Sequence, residues 1–164
     1  MVLHMPFDEP GTLRLDRGDA EERFAVMSAV MRLDEADDSD EIFFCLEVRC
    51  GERTASAVAN DISDANAQPN AEVFALLPSH IDLDDMPNLV GSEIAVTRWR
   101  TNTRRDLWNR FYYCEHEDLW DVTVDVLAHR DDRLNIRWVA SSRDVDHRDR
   151  TMRVEVDAWF RFEG

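Results

Sequence analysis

Hydrophobic and polar residues alternate strictly along the segment TMRVEVDAWFRFEG, residues 151–164. A period of two places every second side chain on the same face of a β-strand, and an apolar face opposite a polar face is typical of antiparallel sheets. The same period recurs over residues 120–128 and 134–140, which are separated by HRDD, a polar segment of hairpin-turn length. The pattern therefore predicts three consecutive antiparallel strands.

The first half of the chain predicts further strands from a weaker pattern. Residues 41–50 alternate, and Gly51 with Glu52 predicts a two-residue turn into another strand, RTASAVA. Residues 23–33 are rich in alanine and methionine, which favour helix, but the short polar segments around them suit a meander of strands. We predict a strand for residues 23–33 as well.

One segment departs from the strand pattern. The sequence PNAEVFALLPSH offers Asn70 as a helix cap and Pro78 as a terminator, so it predicts a short helix near residues 70–78. The surrounding sequence, at about residues 60–91, has no regular period and predicts a long irregular insertion. The helix is expected to lie inside this insertion.

These segments together predict a mainly β or α+β fold. The expected architecture is an antiparallel meander of about eight or nine strands with one short helix, closed as a barrel or folded as a sandwich. A chain of 164 residues suits one domain and can bury a sizeable core without a metal or a disulfide. We therefore expect residues 1–164 to form a single β-rich domain.

The charge balance is strongly acidic. The chain has 35 acidic residues against 19 basic ones, all of them arginine, and a formal net charge of −16. Such a charge repels nucleic acids and anionic membranes at long range and attracts basic proteins. No apolar run approaches the roughly 18 residues of a membrane span, and residues 1–11 lack the basic and apolar regions of a secretory signal. The sequence predicts a cytoplasmic protein without membrane contact.

Residues 98–113, RWRTNTRRDLWNRFYY, form a local positive segment that predicts a β-hairpin. Guanidinium groups bind phosphate oxygens and aromatic rings stack on bases, so the segment is a candidate nucleic-acid or phosphate site. Aromatic residues and Arg–Trp pairs across strands also stabilise sheets, and this structural interpretation is favoured. The candidate binding residues are Trp99, Arg104, Arg105, Trp108, Arg110 and Tyr112.

A second candidate surface lies on the last predicted strand. Trp159 stands among charged residues on its polar face, close to Arg161. Tryptophan and arginine contribute much of the binding energy at protein interfaces. Both residues are therefore binding candidates, although burial beneath another segment would explain the indole equally well.

Residues for catalysis or metal binding are sparse. Cys114, His116 and Asp118 alternate along CEHED, but ligands on a single strand rarely converge on one ion. His116, His129 and His147 are weak general-base candidates for which no nucleophile is assignable. The GxSxG elbow and the glycine-rich phosphate loops are absent. We expect no metal and no cofactor, and the sequence does not decide whether the chain is an enzyme.

The leading functional hypothesis is a non-enzymatic binding module whose acidic surface contacts a basic protein, as an inhibitor or neutralising protein would do. One alternative is a small-molecule or enzymatic cavity in a curved sheet, with residues 60–91 as a lid. A second alternative is nucleic-acid or phosphate binding through residues 98–113. An antiparallel sheet with an apolar and charged edge also allows a homodimer.

Overall fold

The computed structural model describes residues 11–35, 42–56, 68–76, 93–96, 109–113, 115–144 and 149–163. These residues form β-strands and contain no helix. The described part of the chain therefore has no helix that could span a membrane. The strands are β1 (Gly11–Asp16), β2 (Glu21–Glu35), β3 (Ile42–Ser56), β4 (Asn70–Leu76), β5 (Glu93–Val96), β6 (Arg110–Tyr113), β7 (Glu115–Asp118), β8 (Trp120–Arg130), β9 (Arg133–Arg143) and β10 (Thr151–Glu163).

All of these strands belong to one 10-stranded sheet with the order β5-β8-β9-β10-β1-β2-β3-β4-β6-β7. Neighbouring strands in this order are antiparallel. A short parallel pairing joins Arg161–Glu163 of β10 to Val30–Arg32 of β2, beyond the point where β1 begins. The predicted mainly β, antiparallel fold is confirmed for the described residues.

The three strands predicted from the strict alternation are also confirmed. They are β8, β9 and β10, and they form a meander in which β9 pairs with both of the others. Asp131 and Asp132 make the turn between β8 and β9, and Asp131 has a positive φ of 53°. The strand predicted for residues 23–33 is confirmed as part of β2.

One face of the sheet carries a continuous hydrophobic core. Strands β1 to β4, β6 and β8 to β10 all contribute buried side chains to it. Burying a large apolar side chain contributes roughly 1.5–3 kcal/mol, so this shared core is the main source of stability. The largest of its fully buried side chains are Trp138, Tyr113, Phe24, Phe111 and Phe160.

The helix predicted near residues 70–78 is wrong over residues 70–76, which form β4 between β3 and β6. Alternate residues from Ala71 onward are buried in the main core, while Phe74 is buried in a separate cluster with Phe43. Because Phe74 adds an apolar side chain on the second face of β4, residues 73–76 read as a continuous hydrophobic run that hides the period of two. The rest of the predicted helix lies outside the described residues.

The turn predicted at Gly51 and Glu52 is wrong as well, since β3 runs unbroken through both residues. A Cβ at position 51 would lie 2.8 Å from Cγ of Met27, which stands at an irregularity in the pairing of β2 with β3. The sequence therefore has glycine at position 51 because Met27 packs closely there, and not because the chain turns.

The described strands within and beside residues 98–113 do not form the predicted hairpin. Instead, β5 pairs with β8, whereas β6 pairs with β4 and β7. Residues 97–108 lie outside the described residues. The partner of β5, which is β8, and one partner of β6, which is β4, are distant in sequence, and local spacing carries no information about such partners.

Gly11 is expected to tolerate no larger residue. It has a φ of 148°, and a Cβ there would overlap the carbonyl oxygen of Asp157 and lie 2.5 Å from Cα of Ala158. Gly11→Ala should therefore lower the free energy of unfolding by about 3 kcal/mol, measured by urea denaturation.

Gly18 provides the matched control, because its φ is also positive (89°) but no atom lies within 4 Å of its Cβ position. Gly18→Ala should cost only about 1 kcal/mol, from backbone strain. Equal losses in the two variants would contradict the close packing of β1 against β10.

Candidate functional site

Four polar side chains form a buried cluster beside the core: Arg17, Glu22, Tyr113 and Asp144. Arg17 donates from Nη1 to Oε1 of Glu22 (2.6 Å) and from Nε to Oδ1 of Asp144 (3.1 Å). The Tyr113 hydroxyl donates to Oε2 of Glu22 (2.9 Å). The Arg17 side chain is only 4% exposed, so this buried cluster ties the turn after β1 to β2, β6 and the end of β9.

The turn between β1 and β2 fixes the position of Arg17. Its backbone N–H donates to the carbonyl of Ala20 (2.9 Å), and the Gly18 N–H donates to the Asp16 carboxylate (2.8 Å). Burial acts to lower the pKa of Arg17, but its hydrogen bonds to two carboxylates outweigh this effect and raise the pKa. Arg17 is therefore a permanent buried charge, and removing its partners would be costly.

The buried cluster is packed against the hydrophobic core. The ring of Tyr113 packs edge-on against Phe24, with ring centroids 5.5 Å apart, and Tyr113 is 1% exposed. Glu22 and Asp144 are equally buried. The geometry therefore assigns these side chains a part in holding the strands together.

Charged side chains form a ladder on the outer face of β1, β9 and β10. Glu155 accepts hydrogen bonds from Arg14 (2.8 Å) and Arg137 (2.8 Å). Burial acts to raise the pKa of Glu155, but these two bonds outweigh it and hold the pKa below its usual range. Arg14 also contacts Glu21 on β2 (3.2 Å), so the ladder connects strands across the sheet.

Exposed polar side chains line a shallow depression on the outer face of β3, β4, β6 and β7, called here the outer patch. Arg110 contacts Glu72 (2.6 Å) and Arg49 contacts Glu47 (2.9 Å). The rings of Tyr112 and His116 stand 4.7 Å apart with an interplanar angle of 51°. The patch consists of Glu47, Arg49, Asn70, Ala71, Glu72, Arg110, Tyr112 and His116.

The outer patch offers hydrogen-bond donors, carboxylates and a ring pair, which suits contact with another molecule better than chemistry. His116 lies beside Tyr112, and the described residues that line the depression include no serine or cysteine. Among the described residues, no group of three or more His, Cys, Asp or Glu side chains is arranged to hold a metal ion.

The structure brings three of the candidates from the sequence together and separates the others. Arg110, Tyr112 and His116 share the outer patch. Elsewhere on the sheet, Trp159 and Arg161 lie on β10 and His129 lies near the end of β8. Trp99, Arg104, Arg105, Trp108 and His147 lie outside the described residues.

The buried cluster was missed by the sequence interpretation. Glu22 precedes Phe24 and Val26 at the inward positions of β2, and a charged residue in such a position is the one available signal of a buried ion pair. Arg17 lies in a turn, and Asp144 follows the end of β9. Neither residue belongs to a strand whose alternation of polar and apolar residues would indicate burial.

Comparison with known proteins gives no relative. The chain matches no protein-family model, no curated protein and no solved structure. The geometry alone therefore supports the functional proposal below.

Removal of the Tyr113 hydroxyl should destabilise the protein, because Glu22 would lose a hydrogen bond in a buried site. We expect Tyr113→Phe to lower the free energy of unfolding by about 1.5–3 kcal/mol. Tyr112→Phe makes the same chemical change on the neighbouring exposed residue and should have little effect. Similar urea midpoints for both variants would contradict the role of the buried cluster.

Cys50 should be chemically inert in the folded protein. Burial raises the pKa of its thiol to about 12, so only about one thiol in ten thousand is ionised at pH 8. We expect iodoacetamide at pH 8 to leave Cys50 unmodified in the native protein and to modify it in urea, as measured by peptide mass spectrometry. Comparable labelling rates in the two states would be inconsistent with its burial.

Proposed function

We propose that the chain is a non-enzymatic interaction module that binds a basic protein through its acidic outer surface. The observation that carries this proposal is the distribution of charge on the outer face. Arginines there contact carboxylates, as Arg49, Arg110 and Arg137 do, so they neutralise acids locally. The formal net charge of −16 consequently remains as unmatched acidic groups.

A shallow groove beside β8 illustrates this excess of acid. Asp121 and Asp125 line the groove, and within the described parts of the chain neither of them has an ion-pair partner. Among the arginines that line the groove, Arg137 and Arg153 contact Glu155 instead. The third, Arg17, pairs with Glu22 and Asp144 in the buried cluster. A lysine or arginine of a partner is the natural complement of such unmatched carboxylates.

The two alternative functions receive less support. The described interior is filled by core side chains, which leaves less room for a small-molecule cavity inside the sheet. Nucleic-acid binding would draw on Arg110 and Arg161, but each contacts a carboxylate, Glu72 and Glu163 respectively. The overall negative charge adds long-range repulsion of phosphates.

We further propose that the sheet closes around its core as a barrel and that the protein acts in the cytoplasm. Closure is supported by the chain path, because Leu119 alone separates β7 from β8 and its N–H donates to the carbonyl of Asn109 (3.2 Å). Also, β5 lies close to β4 as well as pairing with β8. A reducing compartment is supported by the buried thiols of Cys45 and Cys50, neither of which is in a disulfide.

Binding of an oligolysine peptide, measured by isothermal titration calorimetry, tests the proposed function. We expect binding at about 50 mM salt that weakens steeply towards about 500 mM, because screening shortens the range of the attraction. The double variant Asp121→Asn, Asp125→Asn should bind about fivefold more weakly, since each exposed charge pair is worth about 0.2–1 kcal/mol.

The turn between β8 and β9 provides the matched control, Asp131→Asn with Asp132→Asn. It removes the same charge, and Asn suits the positive φ of Asp131 (53°) as well as that of Asp121 (51°). Equal weakening by both double variants would show that the groove is not the contact surface. Absence of binding at low salt would overturn the proposed function.

A further inference from the structure

The outer patch continues onto β2 as two parallel rows of outward side chains that cross five strands. The register of β2, β3, β4, β6 and β7 places one residue from each strand in each row. The first row is Ser28, Arg49, Asn70, Tyr112 and His116. The second row is Val30, Glu47, Glu72, Arg110 and Asp118.

Charge is close to balance in these rows, in contrast to the chain as a whole. Two arginines stand against three carboxylates across the two rows, whereas the whole chain carries −16. Two copies of such an acidic chain repel each other over most of their surface, and repulsion is weakest where both signs of charge are present. A second copy is therefore the partner that this balanced face fits best.

We propose that the chain forms a two-fold symmetric homodimer through these rows. The two-fold axis lies in the plane of the interface, runs perpendicular to the strands and passes midway between the two rows. Rotation about this axis places the first row of one copy against the second row of the other. Arg49 of each copy then faces Glu47 of the other, and His116 faces Asp118.

The remaining positions are also compatible under this symmetry. Arg110 faces the ring of Tyr112, an arrangement in which a guanidinium is attracted to an aromatic face. Asn70 faces Glu72 and donates to its carboxylate, while Ser28 faces Val30. No position sets two like charges directly opposite each other, so the pattern of the two rows is self-complementary.

Exposed apolar side chains occur on the same face. Met27 is 68% exposed and Tyr112 is 37% exposed. The side chain of Met27 occupies the space where a side chain of residue 51 would lie, because Gly51 has none. Residues 49 and 51 of β3 face the same side of the sheet, so Met27 lies on the same outer face as Arg49. A second copy would cover both side chains, which supplies the apolar contact that an ionic surface alone lacks.

The experiment is sedimentation equilibrium over a concentration series of the full chain, with Arg49→Glu as the disrupting variant. The wild-type mass should rise from one chain towards two with concentration. Arg49→Glu places the new glutamate of each copy opposite Glu47 of the other copy, so both symmetry-related contacts become repulsive. The dissociation constant of the dimer should therefore increase at least tenfold. Far-UV circular dichroism verifies that the variant is folded.

Arg153→Glu is the matched control. Arg153 is 51% exposed and stands two residues from its ion-pair partner Glu155, as Arg49 stands two residues from Glu47, but it lies on β10 outside the rows. It should leave the dissociation constant unchanged. A single-chain mass at all concentrations, or equal effects of the two variants, would overturn the dimer.

A second pair of variants probes the apolar contact. Tyr112→Ala should weaken the dimer, whereas Leu127→Ala, at an exposed apolar residue on β8, should not. Loss of association in both variants would refute the assignment of the interface to these rows. The dimer and the binding of basic partners are separate proposals, since oligolysine binding is measured at the groove beside β8.

Discussion

The structure depends on one constraint: eight of the ten strands, β1 to β4, β6 and β8 to β10, bury side chains from one face of a single sheet in one hydrophobic core. This constraint places most charged residues of the described strands on the outer face or at the ends of strands, where many of them form ion pairs. The buried cluster around Arg17 is the exception, and it persists because Arg17 pairs with two carboxylates and the Tyr113 hydroxyl donates to one of them. Among the described residues, most charged side chains are therefore on the outer face.

The outer face contains two kinds of surface. The groove beside β8 has carboxylates at Asp121 and Asp125 without an ion-pair partner among the described residues, whereas the outer patch has nearly balanced charge and exposed rings. We propose the first surface as the contact for a basic partner, because opposite charges attract, and the second as the contact for another copy of this acidic chain, because local charge balance reduces repulsion. On this proposal, the local distribution of arginines separates self-association from partner binding.

The elements of the fold and of the outer face differ in how well the sequence predicts them. Strands β8, β9 and β10 were predictable because each has one apolar and one polar face, and short turns connect them. Strand β4 was not, because Phe74 makes its second face apolar and removes the alternation. The candidates Arg110, Tyr112 and His116 were identified from residue type, but Glu47 and Glu72, which line the patch with them, come from strands distant in sequence. Pairing of distant strands, and the burial of Arg17 by a turn, require the three-dimensional structure.

The central claim is that the interior of this protein is a filled core and that its function resides on its outer surface. Native mass spectrometry of gently purified protein, compared with a denatured sample, tests this claim most directly. The account predicts that native masses equal whole multiples of the denatured chain mass, apart from any bound protein. A small molecule retained in the native state and lost on denaturation would contradict it and would favour an enclosed ligand site.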